Sequence, residues 1–148
     1  MYEDQIVESV SIDADPERVW QLLTDPEYLP QWWDSLVSVA GEVKEGSMLV
    51  LDFGEHGRTN AVVETLDRPH AFAWRWASDY EQPVEAGTST LVEFRLEAEG
   101  AGTFVQVTES GFAALDGGDE KKQELFEDRS GGWPTVMEWL SGSRLLSS

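Results

Sequence analysis

Residues 89–99 alternate clearly: Val92, Phe94, Leu96 and Ala98 hold one parity, and Glu93, Arg95, Glu97 and Glu99 hold the other. A period of two puts these sets on opposite sides of a strand, one covered and one wet. Gly100-Ala101-Gly102 then reads as a hairpin turn, and residues 103–112 as the returning strand. A chain with such a hairpin must build an antiparallel sheet with one apolar face, and another part of the sequence must cover that face.

Further strands are expected upstream. Residues 5–12 place Ile6, Val10 and Ile12 on one face, with Glu8 interrupting it. Short runs at 36–40 and 48–53, then 58–67 and 70–78, are separated by turn signals at Glu45-Gly46, Gly54 to Gly57 and Arg68-Pro69. Residues 79–87 form a polar loop with Pro83 and Gly87. Between the first strand and the others, Asp15-Pro16-Glu17 and Asp25-Pro26-Glu27 each carry helix-start chemistry: a capping carboxylate, a proline where no internal donor is needed, and an acid at the positive helix end. Two short helices are expected, the first carrying Val19, Trp20, Leu22 and Leu23, the second Tyr28, Leu29, Trp32 and Trp33.

Helical spacing returns at the end. Leu125, Phe126, Trp133, Val136, Met137 and Leu140 predict one long, bent helix from about 120 to 146, weakened locally at Gly131-Gly132-Trp133-Pro134. It is the only element long enough to cover the sheet. A helix laid across a strongly curved sheet does not fill the space beneath it, so a cavity suited to small apolar molecules is expected there. The chain is read as a single domain over 1–148; at 41% hydrophobic residues it has the material for a core.

Charge narrows the partners. The 29 acidic residues outnumber the 10 basic ones, giving a net charge of −19. Such a field repels nucleic acid and anionic membranes. No basic start with a long apolar run opens the chain, and no apolar stretch is long enough to span a bilayer, so a cytoplasmic location is expected. Seven arginines against three lysines on this background fit a high-salt cytoplasm, and fit an acidic mesophilic protein as well. Without cysteine there are no disulfides and no thiolate catalysis.

The order and spacing of several motifs resemble the START-like, or SRPBCC helix-grip, superfamily, and within it the AHSA1-like family named after the activator of Hsp90 ATPase homologue. The resemblance rests on Ile12-Asp13-Ala14-Asp15-Pro16-Glu17-Arg18-Val19-Trp20, Leu23-Thr24-Asp25-Pro26-Glu27, Trp32-Trp33, Val107-Thr108-Glu109-Ser110-Gly111-Phe112, Gly132-Trp133 and Leu140. Lys44-Glu45-Gly46 departs from the Pro-Gly-Gly common in the family. The resemblance implies an α+β helix-grip (START-like) fold: a curved antiparallel β-sheet wrapped around a long C-terminal helix, in the order β-α-α-β6-α. Related families bind lipids, hormones or polyketides, some are aromatase/cyclases, and the eukaryotic namesake stimulates Hsp90.

Candidate residues follow from the covered face. Phe72, Trp74 and Trp76 share a strand face, as core or as the floor of an apolar pocket, with Arg75 pointing the other way. Of Trp32 and Trp33, one ring is expected to close the core and the other to edge the cavity mouth. Phe94, Phe126, Trp133 and Met137 complete the expected ligand-contacting set. Thr108, with Gln106 and Ser110, shares parity with Phe104 and Phe112 and is either a polar contact in the cavity or part of the wet face. No catalytic residue is assigned; Glu64 and Glu8, carboxylates interrupting apolar strand faces, are the weak candidates for an acid. His56 and His70 belong to no spaced ligand motif, so no metal or cofactor is expected. The favoured function is therefore binding of a small hydrophobic molecule, with enzymatic activity less expected than its absence. A protein-interaction or chaperone-associated module, supported if the wet sheet face carried an apolar patch, is one alternative. A cyclase-like or hydrolase-like enzyme is the other. Monomer and homodimer both stay open.

Overall fold

The alternating run of 89–99 and its return strand pair as the central hairpin of the sheet. In the computed structural model, which describes residues 4–143 and 145, the hairpin consists of β6 (Ser89–Glu99) and β7 (Gly102–Ser110). Before it come β1 (Gln5–Ile12), β2 (Ser38–Ala40), β3 (Met48–Asp52), β4 (Arg58–Asp67) and β5 (Ala71–Ala77). The seven strands form one antiparallel sheet in the order β1-β7-β6-β5-β4-β3-β2. β1 thus returns to pair with the last strand, in a register running from Gln5 opposite Ser110 to Ile12 opposite Thr103. At that seam Gly102 is required by space: a Cβ there would lie 2.5 Å from the Ile12 carbonyl oxygen.

Two helices connect β1 to β2. α1 (Pro16–Thr24) starts as its sequence demands, with the Asp15 carboxylate accepting from the Arg18 backbone N–H at 3.0 Å. The second Asp-Pro-Glu triplet behaves differently. Asp25 closes α1, its N–H donating to the Gln21 carbonyl, and its carboxylate accepts from the Glu27 N–H at 2.9 Å in a local turn. The short α2 begins three residues later than expected, at Leu29, and ends at Trp32 (Leu29–Trp32), with Pro30 in its first turn. Val19, Leu22, Leu23, Leu29 and Trp32 bury the inner faces of this pair.

The long helix, α3 (Asp119–Ser141), runs unbroken through Gly131, Gly132 and Pro134. It packs chiefly against β1 and buries Trp133, Val136, Met137 and Leu140. It ends sooner than the apolar spacing suggests: the Gly142 N–H caps the Glu138 carbonyl at 2.9 Å. Of the expected extension to 146, residues 144 and 146 lie outside the described residues. The curved antiparallel sheet gripping this helix is the α+β helix-grip architecture.

Candidate functional site

The inner sheet face is built largely from rings. Phe72, Trp74 and Trp76 alternate along β5 and are all buried, with Phe94 opposite Phe72 on β6. Arg75 points outward and its Nε donates to Glu64 Oε2 at 3.1 Å. Trp33, just beyond α2, lays its ring between this floor and α3, with centroids 6.2 Å from Trp74, 6.2 Å from Trp76 and 5.9 Å from Trp133. Rings meet at such distances in offset and edge-to-face pairs, which add to the gain from burial. The expected space under the helix is thereby confined to one end of the seam. Trp33, Trp74, Phe94, Trp133 and Met137, each no more than 4% exposed, occupy the middle of that region.

What the aromatic packing leaves is a pocket of about 350 Å³ at one end of the helix–sheet seam. Trp33, Trp76 and Trp133 wall its inner side, and Phe53, His56 and Tyr80 flank it. The Tyr80 ring meets Phe53 edge to face at 6.3 Å and stacks on the His56 imidazole at 6.3 Å. Gly132 brings the backbone of α3 to the pocket wall, where a Cβ would meet nothing within 4 Å.

Behind the wall lies Glu109, a fully buried carboxylate on β7. Its Oε2 accepts from Trp76 Nε1 at 3.0 Å and from Thr90 Oγ1 at 2.6 Å, and its Oε1 accepts from Trp133 Nε1 at 2.8 Å. Arg129 of α3 completes the set, forming a short ion pair with Oε2 through Nη1 and donating to the Ser78 carbonyl through Nη2 at 3.2 Å. Its guanidinium also sits 4.9 Å from the centre of the Trp76 ring. One carboxylate thus pins two stacked indoles, Trp76 and Trp133, whose centroids are 5.9 Å apart, and ties α3 to β5, β6 and β7. A buried charge is tolerated only with a partner and saturated oxygens, and both conditions are met here.

The expected ligand-contacting residues therefore divide. Trp33, Trp76 and Trp133 line the pocket. Phe72, Trp74, Phe94 and Met137 are core behind it, and Trp32 is pinned elsewhere, its Nε1 donating to the Leu22 carbonyl at 2.7 Å. Phe126 is half-buried and packs edge to face on Phe112 at 5.3 Å. Thr108 stands on the opposite face of β7 from Thr103, Val105, Val107 and Glu109, so it does not join the site. Its apparent alliance with Phe112 fails because Gly111, at φ 97°, turns the chain out of the strand before Phe112.

Neither proposed acid is at the site. Glu64 is exposed: Thr59, Ala61 and Val63 hold the buried parity of β4, and the register shift between Val63 and Thr65 leaves Glu64 as the extra residue of a bulge. Glu8 does share the inner face of β1 with Ile6, Val10 and Ile12, and is half-buried there. The carboxylate that matters, Glu109, stands within the Val107–Phe112 motif, where sequence reasoning misses it. Its signal was the inward run Thr103, Val105, Val107, in phase with it. Phe53, Tyr80 and Arg129 were also missed, since they sit in loops or on the polar part of a helix.

The family described as "Activator of Hsp90 ATPase homolog 1-like protein" matches residues 13–142. The chain belongs to this family. Solved structures share the AHSA1-like fold at low identity. Protein MLL2253 from Mesorhizobium loti is 20% identical with a TM-score of 0.77, over 97% of this chain and 96% of its own. The Aha1 dimer from Colwellia psychrerythraea is 24% identical with a TM-score of 0.73, over 94% of each chain. DynU16, encoded in the dynemicin biosynthetic locus, is 19% identical with a TM-score of 0.74. This chain covers 95% of itself but only 46% of DynU16, so it spans about half of that protein's length. No curated protein matches the sequence. Among the described residues, no three His, Asp or Glu side chains gather as a metal site, and no helix is long and apolar enough to cross a membrane.

Proposed function

We propose that the protein binds a small, flat, apolar molecule in the pocket at the end of the helix–sheet seam, without transforming it. The observation that carries this reading is a 350 Å³ opening whose inner wall is three indoles, two of them locked in place by a buried carboxylate. Rigid aromatic walls recognise planar apolar surface at little entropic cost, because their rings are already ordered. Catalysis has less support. Glu109 is occupied on both oxygens by donors fixed in the protein, and Glu64 is exposed and paired with Arg75. A docking role has less support too: of the exposed large hydrophobics, Val7 and Met48 stand on β1 and β3, well apart across the sheet, Val37 lies just before β2, and Tyr80 flanks the pocket.

Quenching of tryptophan fluorescence by a tricyclic hydrocarbon such as fluorene tests the reading. Saturable quenching is expected in the native protein. Gly132→Leu should abolish it, since it puts a side chain at the pocket wall where there is open space. Quenching that is linear and indifferent to Gly132→Leu would sink the proposal.

A further inference from the structure

Charge is unevenly placed around the pocket. Among the described residues, Arg129 is the one lysine or arginine in its lining, and the ion pair with Glu109 cancels that charge. Asp79 and Asp128 also line the pocket, and both are exposed, which puts them at its mouth. Neither has an ion-pair partner among the described residues. Taken as a sphere, a 350 Å³ pocket is about 9 Å across, close to the screening length of about 8 Å at physiological salt. The two unbalanced carboxylates therefore act on whatever sits inside, and the net charge of −19 adds to the same field. The apolar part of the wall is mostly rings: Trp33, Phe53, Trp76, Tyr80 and Trp133. Ring faces attract cations, and the protein already uses this attraction here, with the Arg129 guanidinium 4.9 Å from the centre of the Trp76 ring. A neutral hydrocarbon gains nothing from the carboxylates, and an anion is repelled by both.

We infer that the ligand is a flat aromatic cation, an apolar ring system with a delocalised positive charge, such as a quaternised nitrogen heterocycle. The inference rests on the proposed binding function and names its ligand class. The ring system takes the aromatic walls, and Asp79 and Asp128 balance the charge at the mouth. Delocalisation keeps the cost of leaving water low, because no single atom carries the whole charge. Exposed carboxylates act weakly one at a time, so the selectivity comes from the two together with the rings. The same arrangement works against anionic ligands, and specificity needs that repulsion as much as the attraction.

1-Methylnaphthalene and 1-methylquinolinium match in size and shape and differ by one positive charge. In titration calorimetry of the native protein at low salt, the cation is expected to bind about tenfold more tightly, and the ratio should shrink as sodium chloride is added. Asp79→Asn combined with Asp128→Asn should bring the ratio close to one. Asparagine at 79 keeps an oxygen for the Tyr80 N–H, which Asp79 Oδ1 accepts at 2.8 Å. Glu97→Gln combined with Glu99→Gln removes two exposed charges at the far end of β6, since Trp76 pairs with Thr90 near its start, and should leave the ratio as it is in the native protein. 1-Naphthoate should bind more weakly than either probe. Four results would each overturn the inference and leave the pocket reading intact: a neutral probe that binds as tightly as the cation, a ratio that survives the double aspartate variant, a ratio that falls as far in the double glutamate variant, or naphthoate as the tightest ligand. Failure of both the neutral and the cationic probe to bind would remove the pocket reading itself, and the inference with it.

Discussion

At the scale of single residues, the Glu109–Arg129 pair decides most. Glu109 is wholly buried and the Arg129 side chain is 19% exposed, so water screens the pair poorly. Arg129→Met removes the balancing charge and leaves the carboxylate in an apolar surround. A loss of about 3–5 kcal/mol is expected in urea unfolding. Adding Glu109→Gln to that variant removes the stranded charge, so the double variant should be more stable than Arg129→Met alone. A double variant less stable than the single one would show that Glu109 acts through packing and not through charge. The pair also marks where the sequence stops being legible at this scale. Phe72, Trp74 and Trp76 announce their inward face because three large rings share a parity. Glu109 is flanked by Thr108 and Ser110, which look as fit for a cavity as it does, and its counter-charge comes from 20 residues further along the chain, on another element. Strand parity alone leaves Glu64 and Thr108 open between the covered and the wet face; both lie on the wet face, Glu64 at a bulge and Thr108 shortly before Gly111 turns the chain.

At the scale of elements, local chemistry proposes and the surrounding structure disposes. Two identical Asp-Pro-Glu triplets meet different fates. Asp15 follows a strand and caps a helix; Asp25 comes while α1 is still running and serves as its end. Asp15→Ala should therefore cost about 1 kcal/mol in chemical denaturation, the usual loss for an N-cap with its hydrogen bond. The long helix is the converse case. Gly131, Gly132 and Pro134 each disfavour helix, yet α3 passes through them, because Trp133 within the weak point and Val136, Met137 and Leu140 just beyond it bury their side chains. That weak point is improvable. A Cβ at Gly131 or Gly132 would meet nothing within 4 Å, and neither has a left-handed φ. Gly131→Ala and Gly132→Ala should each stabilise by about 0.5–1 kcal/mol, which raises the melting temperature of a chain this size by about 2–4 °C per kcal/mol. Calorimetry of the two variants checks this, and destabilisation in either would mean that α3 needs its glycines for a bend.

At the scale of the whole molecule, the element order and the single covered sheet face were readable because periodicity survives every local error. The filled interior was not, since whether rings interdigitate or leave a void depends on tertiary distances that no local pattern encodes. Net charge is the remaining global property, and it belongs to the surface more than to the fold. With 29 acids and 10 bases, 19 negative charges lack a basic counterpart in the composition. The exposed ion pairs Arg68–Glu17, Arg75–Glu64 and Arg58–Asp52 offset little of this, as exposed pairs are worth at most about 1 kcal/mol each. Compaction brings the unbalanced carboxylates together, so self-repulsion should destabilise the native state in dilute buffer. Added salt shortens the screening length from about 14 Å at 0.05 M to about 3 Å at 1 M, within the spacing of neighbouring surface charges. The melting temperature should therefore climb with sodium chloride between about 0.05 and 2 M, most steeply at the low end, where screening changes fastest. A rise confined to the high end would instead report salt strengthening apolar burial, which needs no acidic surface. A flat curve would show that these charges are too dispersed to act on stability, and the acidic composition would then carry no adaptation to salt.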